Sequence, residues 1–216
     1  MKRAFFSFLA IFFLGGCNIL PQGPDESVFA ELEGKSIQEL TRMAKDTKDE
    51  NLLRYFAHHQ NEGVRSDAAK NPNLPEDLQP KLAEDDSWLV RQYLGANRNI
   101  LPSIAAKLSI DLLPEIRWVV AKNPSVSEEV LLSFVEDENT EVQKKLAQNT
   151  NLSTAVMLEI AKRSDIGAVI DLIRSHTVPP EVIEELRSRK EESILEELRQ
   201  QGDLPQNSDE NDSSSF

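Results

Sequence analysis

The same kinds of residue return every 26 positions along this chain. Val64, Val90, Ile116, Val142, Ala168 and Ile194 fall in one column, and Leu78, Ile104, Val130, Val156 and Val182 in a second. Leu82, Leu108, Phe134, Ile160 and Leu186 make a third, and Asn71, Asn97, Asn123 and Asn149 a fourth. A period of this length marks a repeat architecture, in which each unit buries its apolar face only against its neighbours. Within the unit 71–96, Leu78 and Leu82 are four apart, as are Val90 and Leu94, so each pair shares a helix face. The spacing predicts a first helix over about 75–84, a turn at Asp85-Asp86-Ser87 and a second helix to about Ala96. Alternation with period two is absent, which argues against strands.

Helices this short are marginal alone and hold only when both neighbours cover their apolar stripes. The array therefore needs ends. Ser36 and Glu39 have capping-box spacing and predict a leading helix to about Lys45; Thr47 and Glu50 repeat the spacing and predict the start of the next helix. Six helix pairs are expected after the leading helix. The last, around Ile194 and Leu198, is polar on its far side, as a terminal cap should be. The column Ala69, Gly95, Ala121 and Ala147 stays small, which lets neighbouring helices approach closely.

Two polar ladders run through the array. Asn ends the second helix of the first four units, until Ser175-His176 replaces Asn-Pro in the fifth, and its amide carries a donor and an acceptor, so it can serve the loop backbone of its own unit and of the adjacent one. Asp85 and Arg91, and Asp111 and Arg117, stand six apart and are expected to pair, while Asp137 faces the neutral Gln143. Both ladders read as structural.

The motif Val64-Arg65, Asn71-Pro72, Leu78, Leu82-Ala83, returning as Ile116-Arg117 and Asn123-Pro124, resembles the leucine-rich repeat variant and, more widely, HEAT-like α-solenoids. The resemblance spans about residues 36–200 and implies an all-α, right-handed α-solenoid of armadillo/HEAT-like kind. It also implies that some helices are 3-10 rather than α, and that Asp/Arg columns bridge successive units. Late departures, with Gln143 and Val169 in place of Arg and Thr150 in place of Pro, make the fifth unit the least regular.

The ends of the chain read differently. Lys2 and Arg3 precede an apolar run, Ala4 to Phe13, too short to span a bilayer. The order positive, apolar, small reads as an export signal. Its ending, Leu14-Gly15-Gly16-Cys17, resembles a bacterial lipoprotein signal, which implies cleavage before Cys17 and a lipid anchor on it. Cys17 is the only cysteine. The alternatives are a secretory peptide with an incidental cysteine, or an apolar N-terminal helix buried in the fold. Asn18 stands where such lipoproteins often carry an inner-membrane aspartate, which implies the periplasmic face of the outer membrane. The expected organisation is a signal peptide at 1–16, a lipidated tether at 17–35, the repeat domain at 36–200 and a disordered acidic tail at 201–216.

A net charge of −13 argues against a nucleic-acid partner and against docking on anionic headgroups. No nucleophile motif, phosphate loop or cysteine cluster is present in the sequence. His58 and His59 are neighbours, which on a helix do not face each other. Neither catalysis, a metal nor a cofactor is expected. What differs from unit to unit is the surface of the second helices. Tyr93 and Trp118, flanked by Arg91, Arg117, Lys144 and Lys145, form the candidate site for an unidentified protein or peptide partner. The alternative is that the two aromatics fill gaps between helices; Trp88 is a lesser candidate. The expected function is that of a binding lipoprotein of the cell envelope, or else of an accessory subunit in an envelope assembly.

Overall fold

The computed structural model describes residues 32–205. The expected signal segment, residues 17–31 of the tether and residues 206–216 of the tail lie outside the described residues. Among the described residues the chain is all-α, with thirteen α-helices and no strand. Helix α1 (Ile37–Asp46) leads. Six pairs follow: α2 (Glu50–Phe56) with α3 (Glu62–Lys70), α4 (Gln79–Leu82) with α5 (Trp88–Gly95), and α6 (Pro102–Leu108) with α7 (Pro114–Lys122). Then come α8 (Glu128–Leu132) with α9 (Thr140–Ala147), α10 (Thr154–Arg163) with α11 (Ile166–Ser175), and α12 (Pro180–Ser188) with α13 (Glu192–Gln201). The odd-numbered helices pack each on the next, from α1 to α13.

The three apolar columns form the seams of this packing. Val64, Val90, Ile116, Val142, Ala168 and Ile194 are all fully buried, as are the Leu82 to Leu186 and Leu78 to Val182 columns to within a few per cent. The small column works as its composition implies. A Cβ added at Gly95 would stand 3.1 Å from Val120 Cγ2, so α5 and α7 approach as closely as glycine permits.

Four local expectations need correction. The stretch 75–84 is not one helix: a 3-10 turn, Glu76–Leu78, precedes the short α4. Pro80 is the cause, because it has no N–H to give the Glu76 carbonyl, which instead takes the N–H of Gln79. The start of α2 is capped by Asp49 rather than Thr47. The Asp49 carboxylate accepts from the N–H groups of Asn51 and Leu52, and Thr47 Oγ1 accepts from the N–H of Asp49. The tether ends sooner than residue 35, because Leu32 is buried in a cluster with Leu40, Leu53 and Phe56. At the far end, residues 202–205 belong to the fold. Gly202 adopts φ +86°, the N–H of Asp203 returns to the Leu198 carbonyl, and Leu204 packs on the core. The Ser36–Glu39 capping box forms as expected.

The Asn ladder connects every unit from α1 to α9. Asn123 Nδ2 donates to the carbonyls of Gly95 and Asn97, each at 2.8 Å, while its Oδ1 accepts from the N–H of Ser125. Asn71, Asn97 and Asn149 repeat this pattern, and all four are buried. Where the column lapses, His176 Nε2 bonds the Ala147 carbonyl at 2.8 Å. A carbonyl only accepts, so that nitrogen carries the proton.

The Asp/Arg ladder forms in a different register from the expected one. Arg91 does not pair with the Asp85 carboxylate, nor Arg117 with that of Asp111. Each Arg bonds the backbone carbonyl of the Asp six before it and the carboxylate of the Asp twenty after it. Arg91 Nη1 reaches the Asp85 carbonyl at 2.7 Å and its Nε reaches Asp111 Oδ2 at 2.8 Å. Arg117 does the same with the Asp111 carbonyl at 2.9 Å and Asp137 Oδ2 at 2.8 Å. Arg65, which the sequence reading passed over, adds a first rung with Asp85 at 2.7 Å. Burial pushes the Asp85 carboxyl up, but hydrogen bonds from Arg65 and from the N–H of Ser87 outweigh it and hold the group below its ordinary value. Asp137 therefore keeps its charged partner, in Arg117. Gln143 retains only the backbone half of the motif, donating to the Asp137 carbonyl and accepting from the N–H of Asp165. The loss is matched in the next unit, where Arg163 occupies the Asp column and no carboxylate awaits.

Candidate functional site

The C-terminal end of α7 forms one wall of a groove of about 310 Å³. Trp118 faces it, because positions 118 and 122 lie on the side of α7 away from the buried Ile116, Val120 and Ala121. Ala96 and Pro124 supply apolar surface at its edge, and Arg98, Lys122 and Lys145 supply three cations. Trp118 is half-buried and leans on the core, so its ring is held in place while one face stays open. Lys145 is tied to Glu141 at 2.9 Å. Arg98 and Lys122 are exposed and form no ion pair among the described residues. On so acidic a chain, two exposed cations beside an indole are a local reversal of charge.

The expected patch is only partly assembled. Trp118 and Lys145 meet in the groove. Tyr93 lies one unit earlier, packed on the core, with Lys70 Nζ 5.3 Å from its ring centroid. Lys144 lies against the next unit, where a Cβ on Gly167 would come within 2.8 Å of its Cε. Arg91 and Arg117 are engaged in the ladder at the other end of their helices, and Arg117 is 7% exposed. Neither can take part in a patch with Trp118. Ser66, in the Trp118 column, is buried.

The sequence reading missed Arg98 and Lys122. A signal for Arg98 was present: it stands where the neighbouring units carry Pro72 and Pro124, so the Asn-Pro signature becomes Asn-Arg at this one boundary. Lys122 offered less, because Lys70 shares its column.

The histidines act singly. His58 Nδ1 donates to the Arg54 carbonyl at 2.8 Å, closing the end of α2, and His59 Nδ1 accepts from the N–H of Asn61 at 3.0 Å. Burial holds the His59 imidazole below its ordinary value. Among the described residues no group of three or more His, Cys, Asp or Glu side chains gathers to hold a metal ion, and no helix is long and apolar enough to cross a membrane. Every buried side-chain nitrogen and oxygen among them has a hydrogen-bond partner. The chain matches no known protein-family model, and no curated protein matches its sequence.

Proposed function

We propose that this protein is a non-enzymatic lipoprotein of the cell envelope whose helices form a right-handed solenoid of the leucine-rich repeat variant and HEAT-like kind, and that it binds a protein or peptide in the Trp118 groove. The solenoid reading is supported by the unbroken contact of each odd-numbered helix with the next and by the ladders that repeat from unit to unit. The anchor reading is supported by the sequence before Cys17. The observation that carries the binding reading is the groove itself, an indole beside two cations that form no ion pair among the described residues. A segment offering a carboxylate and an apolar side chain fits it, because the cations gain a counter-charge while the indole is covered.

The test uses the full chain in cells with a photo-crosslinking residue at Val119, which lines the groove. A discrete partner is expected, and its yield should fall sharply in Lys122→Glu, an exposed substitution that leaves folding intact, and in Trp118→Ala. Stable membership of an envelope complex that ignores both substitutions would favour an assembly accessory instead. Metabolic labelling with a fatty-acid analogue should mark Cys17; an unlabelled chain would remove the anchor.

A further inference from the structure

The loops that open α5, α7 and α9 lie side by side along one edge of the array. One guanidinium ties each neighbouring pair: Arg91 spans from the Asp85 carbonyl to the Asp111 carboxylate, and Arg117 from the Asp111 carbonyl to the Asp137 carboxylate. The two outer loops are polar, Glu84-Asp85-Asp86-Ser87 and Glu136-Asp137-Glu138-Asn139. The middle loop is Ile110-Asp111-Leu112-Leu113. Asp111 alone serves the ladder. Ile110 is 78% exposed, Leu112 94% and Leu113 38%, and Trp88, the first residue of α5, is 48% exposed.

Ile110 and Leu112 bury little and so contribute little to the fold, and the counterparts of Ile110, Leu112 and Leu113 in the adjacent units are polar: Glu84 and Glu136, Asp86 and Glu138, Ser87 and Asn139. Contiguous apolar surface on a soluble face marks an interaction site. Its rim is acidic: Glu84, Asp86, Glu136 and Glu138 are all exposed. Glu84 pairs with Lys107 and Glu136 with Arg163, while Asp86 has no ion pair among the described residues; Glu138 stands 3.6 Å from Arg117 Nη2, yet its side chain is 90% exposed and open to a second cation.

We propose that this edge docks a basic amphipathic segment of a partner protein, its apolar side chains over Ile110, Leu112 and Leu113 and its Lys or Arg over Asp86 and Glu138. An apolar centre needs an apolar occupant, and the acidic rim selects a cationic one. An anionic bilayer would offer apolar depth, but its headgroups would face the same carboxylates. The edge is separate from the Trp118 groove. It lies at the Pro114 end of α7 and the groove at the Lys122 end, about 12 Å apart along the helix. The proposal therefore stands or falls independently of the groove.

The probe is a fluorescein-labelled leucine–lysine peptide with helical amphipathic spacing, titrated into the full chain and read by anisotropy. Saturable binding is expected. Leu112→Asp should weaken it by roughly tenfold or more, without changing the thermal midpoint, because this side chain is almost wholly exposed. Trp118→Ala should leave the affinity unchanged. A leucine–glutamate counterpart should not bind. Equal affinity of Leu112→Asp, or equal binding of the acidic peptide, would overturn the proposal. So would a Leu112-dependent association with phosphatidylglycerol vesicles tighter than with the basic peptide, which would assign the edge to a lipid surface.

Discussion

Arg117 holds Asp137 across a unit boundary with two parallel hydrogen bonds, Nε to Oδ2 and Nη2 to Oδ1, both at 2.8 Å. The two side chains are 9% and 8% exposed. The third guanidinium contact, to the Asp111 carbonyl, ties the same Arg to its own loop. One side chain thus joins two loops that are far apart in sequence, and it does so where water competes little.

Removing one member of such a pair strands the other. Arg117→Ala is expected to cost about 3 kcal/mol in urea denaturation, because the Asp137 carboxylate, only 8% exposed, is left without its cation. Arg54→Ala is the control: its partner Asp77 has a side chain 58% exposed, so the loss should stay below about 1 kcal/mol. Equal losses in the two variants would contradict the ladder's role.

Asn123→Ala removes a donor pair that satisfies two buried carbonyls. A loss of about 1–2 kcal/mol is expected. Asn123→Asp should be worse than Ala, since a carboxylate oxygen would then face the carbonyls of Gly95 and Asn97. An unchanged thermal midpoint in Asn123→Ala would refute the ladder.

Gly95 sets how closely α5 and α7 approach. Gly95→Val forces a branched side chain against Val120 and should cost about 1–3 kcal/mol. Gly95→Ala should stay within about 1 kcal/mol of the parent, because its better helix propensity opposes the 3.1 Å contact with Val120 Cγ2. Differential scanning calorimetry of the two variants separates these outcomes.

The Asp85 carboxyl makes one part of the stability depend on pH. Its value in the folded chain lies below that in the unfolded chain, so its contribution is fully present above the ordinary aspartate value of about 3.9 and is lost as pH falls through the folded value. The stability gap between the parent and Asp85→Asn should be constant from neutral pH down to about 4.5 and shrink below about 4. A gap that persists unchanged to pH 2.5 would show that Asp85 gains nothing from Arg65.

The apolar columns were legible because burial follows a strict period. Val64 through Ile194 could be placed in the core from spacing alone, and every one of them is there. The Asn ladder was legible too, since an amide with a donor and an acceptor, set at the helix end of four successive units, has few other uses. The groove was legible only in Trp118 and Lys145. Nearness in sequence groups Arg117 with Trp118, but the Arg117 side chain points to the opposite end of its helix from Lys122.

The chain by itself determined the helix pairs, their buried faces and the residues that close each unit, because these depend on local spacing and on contacts repeated at one period. It did not determine which Asp each Arg holds. Asp85 and Asp111 stand one period apart, so partners for Arg91 six residues before and twenty after fit the periodicity equally well. Only the tertiary structure separates them. A helical side chain leans toward its own N-terminus, which brings Arg91 to the loop edge, and there the stacking of α5 on α7 presents the next unit's carboxylate while the nearer loop offers only its carbonyl.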